Sequence, residues 1–204
     1  MNFGSITIVN NNDNNYKICS TNDSQLFSFF INSLQLPFEN MFFANNVCSL
    51  SHFIQTNNFS IKTAYLLLSS LFNQLHILEQ YKITISFLDI NDILVIDDLF
   101  FICNIDKFYK YQDNRILITV VYDKNNPYLS PLFKSNTYIP FYSHKNDFFY
   151  NLALIVLNCL RKTNFLLSEL STQQLLEYYD YTKIYQTLKF CLNNDVTKRQ
   201  FIIF

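Results

Sequence analysis

The stretch Ile83-Thr84-Ile85-Ser86-Phe87-Leu88-Asp89-Ile90-Asn91-Asp92-Ile93-Leu94-Val95-Ile96-Asp97-Asp98-Leu99-Phe100-Phe101-Ile102-Cys103-Asn104-Ile105-Asp106 decides how the chain is read. Asp97-Asp98 stands between two apolar runs, and an acidic pair in that setting predicts a hairpin. Upstream, Ile61, Ala64, Tyr65, Leu68, Leu71, Phe72, Leu75 and Leu78 recur at intervals of three and four between Ser60 and Gln80. That spacing places them on one face of a helix lying on a core. Downstream, the β-branched run from Arg115 to Tyr122 predicts a strand, with loops at Asp123 to Pro127 and Lys134 to Tyr138. Leu152 to Leu160 is apolar nearly all round, broken by Asn158, which predicts a helix buried on every side. Ser171-Thr172-Gln173-Gln174 is a capping box opening an amphipathic helix, and Ile184 to Leu192 forms a last one.

The order of these pieces resembles the C-terminal lobe of a protein kinase, in which H-R-D-L-x-x-x-N leads into a strand pair and D-F-G closes it. With Ile93-Leu94-Val95 set on the kinase N-I-L-V, Asp92 falls at the metal-binding Asn and Phe87 at the catalytic Asp. Ile85 and Ser86 then stand for His and Arg, and Asn104-Ile105-Asp106 for D-F-G. A shift of two residues that puts Asp89 at the base position leaves too short a loop before Ile93. Tyr128-Leu129-Ser130-Pro131-Leu132 resembles the end of an activation segment, with Leu132 where Glu should stand, and Asn151-Leu152-Ala153 matches the S-L-G of the central helix. In that frame Phe148 replaces the buried Asp of the helix, with Asp147 one residue away. Thr187 to Arg199 resembles the kinase ending, and Arg199, deprived of its Glu, is expected to pair with Asp195 or to face solvent. Leu129-Ser130-Pro131, Pro140-Phe141 and Tyr150-Asn151-Leu152-Ala153 are similar to segments of the kinase-like proteins of giant DNA viruses.

The resemblance implies an α+β fold: a mainly helical C-terminal lobe over 59–204 and a reduced, β-containing N-terminal lobe over 1–58. In that short lobe, Ile6 to Val9 and Tyr16 to Cys19 flank an Asn-rich tip and predict a hairpin. Gln25 to Leu34 reads as a helix broken before Pro37, Met41 to Val47 as a strand and Leu50 to Gln55 as a short helix. Gly4 is the only glycine, so no glycine-rich loop can bring its backbone over phosphates. Lys17 is the nearest stand-in for the nucleotide-gripping lysine, and an ordinary surface lysine is the simpler reading. Turns and helix ends must use Asn and Asp instead, which tolerate left-handed backbone.

The resemblance also implies that catalysis is lost. Phe87 cannot accept a proton from a substrate hydroxyl, and a neutral Asn104 is a poor replacement for a metal-holding carboxylate. The degenerate positions are Phe87, Asp92 and Asn104; Asp89, Asn91, Asp92 and Asp106 are the residues left for a binding role. No cofactor and no metal are expected, although Asp89, Asp92, Asp97, Asp98 and Asp106 form an acidic cluster in sequence. Turn residues are commonly acidic and solvated, which is the plainer account of them. Ser130 lacks a G-x-S-x-G setting, and His144 is no evident base for it.

Composition bounds the rest. Half the chain is hydrophobic and 18% aromatic, so core material is not limiting for 204 residues. The richness in Phe, Tyr, Ile and Asn with no Trp points to an AT-rich genome, which removes functional weight from any single Asn or Tyr. A net charge of −1 gives no basic footprint for nucleic acid. The apolar run Leu152 to Leu157 is far short of the roughly 18 residues a membrane span needs, and Met1 to Ser5 lack the features of a secretory signal, so a cytoplasmic protein is expected. Cys19, Cys48, Cys103, Cys159 and Cys191 are widely spaced and read as buried free thiols.

The expected function is that of a pseudokinase, a non-catalytic scaffold binding a protein partner, in the host cytoplasm or virion if viral. The expected face is the former substrate side, Asp89 to Asp92 with Asn125 to Pro140. The rivals are a self-associating structural component, a residual nucleotide- or metal-binding phosphotransferase-like protein using Asp89, Asp92 and Asp106, and an unrelated α+β domain.

Overall fold

The computed structural model describes residues 1–12, 14–21, 25–35, 40–162 and 171–202. Asp13 at the Asn-rich tip and Pro37 after the first helix lie outside the described residues. The chain opens with β1 (Asn2–Phe3), β2 (Ile6–Asn12) and β3 (Asn15–Ser20), followed by α1 (Gln25–Leu34) and β4 (Met41–Phe43). These strands form an antiparallel sheet in the order β1-β2-β3-β4. Ile6, Ile8, Ile18 and Phe42 alternate onto its buried face, while Val9, Met41 and Phe43 face outward. β5 (Val47–Ser49) and α2 (Leu50–Thr56) come next. The single strand expected over Met41 to Val47 is thus two, broken at Ala44 to Asn46, and the second belongs to another sheet.

α3 (Ile61–Gln80) follows, capped by the Ser60 hydroxyl, which accepts the Thr63 N–H. Its buried stripe is Ala64, Leu67, Leu68, Leu71, Gln74, Leu75 and Leu78. The expected stripe is rotated by this: Ile61 and Phe72 are each 37% exposed, and Leu67 and Gln74 take the inside. Gln74 is tolerated there because its amide is fully used. Nε2 donates to the Ile102 carbonyl at 2.9 Å, and Oε1 accepts the Ile102 N–H at 2.7 Å.

β6 (Ile83–Ile85), β7 (Ile93–Ile96), β8 (Leu99–Ile102) and β9 (Phe108–Lys110) complete the quoted stretch. β7 and β8 form the expected hairpin about Asp97, whose φ of 52° is left-handed, and β5 adds to β7 as a third antiparallel strand. β6 and β9 pair separately, Ile83 opposite Lys110. Short 3-10 turns at Ile90–Asp92 and Ile105–Lys107 link these strands.

β10 (Arg115–Ile118) is shorter than the run that announced it, because Thr119, Val120 and Val121 leave the sheet and Val121 is 89% exposed. α4 (Pro131–Ser135) occupies part of the expected loop, begun by the Ser130 cap and a proline in its first turn. β11 (Phe141–His144) pairs with β10 in a two-stranded sheet. α5 (Phe148–Lys162) is buried along most of its surface, with Leu152, Ala153, Ile155, Val156, Leu157, Cys159 and Leu160 at most 2% exposed, but the stripe Tyr150, Leu154, Asn158 and Arg161 is only half-buried, so the expectation of burial on every side is not met. α6 (Thr172–Tyr178) starts at the Ser171–Gln174 capping box, and α7 (Lys183–Cys191) ends the regular structure.

The result is an α+β fold with small antiparallel sheets at the edges of a helical core. One apolar cluster runs from Phe3, Ile6 and Ile18 through Phe30, Leu50, Leu71 and Ile102 to Ile155, Leu188 and Cys191, so side chains before and after residue 58 share it. A second, smaller cluster of Phe87, Ile116, Ile118, Leu129 and Phe133 underlies the β10–β11 sheet. Backbone that would favour glycine is met by other residues at Asn14, Gln35, Lys82, Asp97, Asp113, Asn114 and Tyr181, as a chain with one glycine requires. Cys48, Cys103, Cys159 and Cys191 are buried free thiols as expected, whereas Cys19 is half-buried. Among the described residues no helix is long and apolar enough to cross a membrane.

Candidate functional site

The residues singled out in sequence gather at the two 3-10 turns. Asp89 caps the first turn: its Oδ1 accepts from the backbone N–H and the Nδ2 of Asn91, each at 2.9 Å. Its own N–H donates to Asp92 Oδ2 at 2.7 Å, closing a capping box. Asp92 is buried, and both of its carboxylate oxygens have further partners. Oδ1 takes the Asn104 amide at 2.7 Å, and Oδ2 lies 3.1 Å from Lys107 Nζ. Lys107 Nζ also sits 4.1 Å from the centre of the Phe87 ring, so the lysine is held between a carboxylate and an aromatic face. Beneath them, burial and the Asp92 charge push the Cys103 thiol well above its ordinary range, keeping it an inert SH.

Asp106 is exposed and is bound from the other end of the chain. Ser5 donates its N–H to Oδ2 at 3.0 Å and its hydroxyl to Oδ1 at 2.5 Å. The turn that carries Ser5 requires Gly4, at φ 56°: a Cβ there would collide with Asn104 Oδ1 and Asp106 Oδ2. The one glycine thus lets the β1–β2 turn press onto the second 3-10 turn. A composition count reveals the glycine but not the distant residues it touches.

Asp89 and Asp106 line an open cleft of about 500 Å³, with Phe87 and Lys107 on the same wall and Val120 to Asp123 and Asn125 to Pro127 opposite. Two stretches expected to share a face, the loop at Asp89 and the segment from Asn125, do line one cleft. Asp92 and Asn91 do not line it: Asp92 is turned inward, and Asn91 is exposed with its donors on Asp89. Asp97 accepts the Asn45 and Asn46 N–H groups at 2.9 Å at the far end of the hairpin, and Asp98 is exposed beside it. Among the described residues no group of three or more His, Cys, Asp or Glu side chains is placed to hold a metal ion.

A second polar centre lies before α5. Asp147, not Phe148, is the buried acid before α5, with no exposed surface. It accepts the Ser130 hydroxyl at 2.7 Å and the Ser143 hydroxyl at 3.4 Å, and it pairs with Arg199. Burial pushes its carboxyl above the ordinary range, and Ser130, Arg199 and Ser143 pull it back. The expectation that Arg199 pairs with Asp195 or faces solvent is wrong: Arg199 is 3% exposed, and its Nε donates to the Asn193 carbonyl at 2.8 Å. Asp195 instead caps the turn at Val196–Lys198. The charge of a buried carboxylate is costly unless it is paired and hydrogen-bonded, and Arg199, Ser130 and Ser143 supply both here. Ser130, buried and donating to Asp147, is a structural hydroxyl.

Neither a family model nor a curated protein matches this chain. Large apolar side chains are exposed at several places among the described residues: Tyr181, Val121, Tyr138, Phe43 and Tyr142 are 98%, 89%, 82%, 69% and 65% exposed.

Proposed function

We propose that this chain is a pseudokinase, a kinase-like protein without phosphotransfer chemistry, that acts by binding a protein partner. Its source would be a giant DNA virus, and its place the host cytoplasm or the virion. The reading is supported by the order of elements: long helix α3, strand β6, polar turn, hairpin β7–β8, second turn, strands β9 and β10, a Ser-Pro helix, strand β11 and helix α5. Helix, polar turn, hairpin, Ser-Pro segment and buried helix are the pieces the resemblance rests on, and the DNA-virus likeness rests on Leu129-Ser130-Pro131, Pro140-Phe141 and Tyr150 to Ala153.

The observation that carries the non-catalytic half is the state of Asp92. A residue meant to hold a metal against phosphates needs open acceptor sites, and here both carboxylate oxygens are already engaged, by the Asn104 amide on one and by Lys107 and the Asp89 N–H on the other. Phe87, at the position of the base, lies under Lys107. The binding half is favoured by Leu117 and Tyr142, which stand opposite each other on the outer face of the β10–β11 sheet and are 41% and 65% exposed, since apolar groups that share an exposed face mark contact surfaces.

A thermal-shift titration with ATP and ADP, each with and without magnesium, tests this. Ligand binding to the native state raises the melting temperature at concentrations far above the dissociation constant. No shift is expected. A metal-dependent shift lost in Asp106→Ala or Asp92→Ala would replace this reading with a nucleotide-binding one. The same exposed face also favours a self-associating structural component; a mass from light scattering above that of one chain at micromolar concentration would select it.

A further inference from the structure

The reading above leaves the partner unspecified, and the distribution of charge around the β10–β11 sheet narrows it. Leu117 and Tyr142 stand directly opposite each other in the register and point away from the buried face, 41% and 65% exposed. They form one wall of an open groove of about 700 Å³, whose floor and far side are Lys110, Tyr111, Arg115 and the turn at Gln112 and Asp113. The topology concentrates cations at this end of the molecule. Pairing of Ile83 with Lys110 brings the start of β6 to the end of β9, so Lys82, whose carbonyl accepts the Tyr111 N–H at 3.0 Å, is beside the groove. Lys145 Nζ lies 4.8 Å from the centre of the Tyr111 ring and is neutralised by Glu79 at 2.9 Å. Arg115 and Lys110 are exposed and take part in none of the ion pairs among the described residues, and Lys110 donates to Gln25 at 3.1 Å. His144, opposite Arg115 in the sheet, has its pKa lowered by burial first and then by Lys145, against the raising effect of Asp147, with Arg199 and Arg115 lowering it further.

We infer that the outer face of the β10–β11 sheet, with its groove, is the docking site for an acidic peptide segment carrying aromatic or aliphatic side chains, an inference that rests on the protein-binding reading above. Leu117 and Tyr142 offer the apolar contact, and the unpaired Arg115 with Lys110 offers complementary charge at the rim. Two cations against the single acid Asp113 give the groove lining an excess of positive charge beside its apolar contact, which favours a segment of opposite charge. A nucleic acid fits less well. Asp113 shares the groove, the chain as a whole carries −1, and a phosphate backbone needs a longer cationic track than two free side chains.

Fluorescence anisotropy with a fluorescein-labelled decapeptide alternating glutamate with phenylalanine and leucine tests the inference. A glutamate–serine decapeptide, a lysine–phenylalanine decapeptide and a labelled oligouridylate are the comparison probes. The first peptide is expected to bind at least about tenfold more tightly than each of the others, and more weakly as salt is raised. Arg115→Glu and Tyr142→Ser, both at exposed positions, are each expected to weaken it about tenfold with an unchanged melting temperature. Val121→Ser, across the molecule's other cleft, is expected to leave it unchanged. No binding, binding insensitive to Arg115→Glu and Tyr142→Ser, loss in Val121→Ser instead, or preference for the oligouridylate would each overturn the inference. A nucleotide-dependent thermal shift would overturn the non-catalytic reading and leave the peptide result standing, so the two failures are separable.

Discussion

At Asp147 and Arg199, two buried charges answer each other across most of the distance between β11 and the chain end. Removing one partner strands the other without water, which typically costs about 3–5 kcal/mol. Arg199→Met and Asp147→Leu are each expected to lower unfolding free energy in urea by that amount, and the double variant by less than either. His144 gives a second prediction. Its pKa is lowered below the ordinary 6.5 by burial and then by Lys145, so the folded chain favours the neutral ring. The stability this brings is present above pH 6.5 and is lost as pH falls toward the folded pKa. Melting temperature should therefore drop on acidification below that pH, and His144→Gln should flatten the drop. Neither centre was legible at residue resolution. The carboxylate before α5 was visible in sequence, but choosing between adjacent positions takes the helix phase, and only the fold brings residue 199 within reach of residue 147.

Among the elements, α3 shows what periodicity settles and where it stops. The spacing of apolar residues located the helix between Ser60 and Gln80, because a helical stripe of that length has no strand counterpart. It left the phase open by one position, since Leu66, Leu67 and Leu68 are consecutive and apolar alike. The structure buries Leu67 completely and leaves Leu66 39% exposed. Leu67→Ala should cost about 2–5 kcal/mol by opening a cavity, while Leu66→Ala should stay within roughly 1 kcal/mol, read from paired urea titrations. Hairpin β7–β8 and helix α5 were equally plain, one from its acidic turn and the other from its unbroken apolarity. The run from Arg115 was not: β propensity continues through Val121, but pairing stops at Ile118, where the partner strand begins at Phe141. Propensity cannot count how many residues the neighbouring strand supplies. The candidate site was legible as a set of acidic positions and illegible as chemistry, because Lys107 and Ser5, which occupy Asp92 and Asp106, carry no signal in their own surroundings.

For the molecule as a whole, the contact between Gly4-Ser5 and the turn at Asn104 to Asp106 fastens the first sheet to the centre of the chain. Gly4→Ala adds a left-handed penalty of about 1–2 kcal/mol and a steric clash with both side chains. The expected outcome is a melt lowered accordingly, with faster amide exchange confined to β1 and β2. The scarcity of glycine has a consequence of another kind. Gln35, Lys82 and Tyr181 hold a backbone shape that their side chains oppose, and none has the short polar group by which Asn and Asp relieve it. These are sites of latent headroom, where a residue without a Cβ would sit unstrained. A laboratory search for hardier variants would be drawn to glycine at these three places, the reverse of the usual rule that glycine weakens a fold.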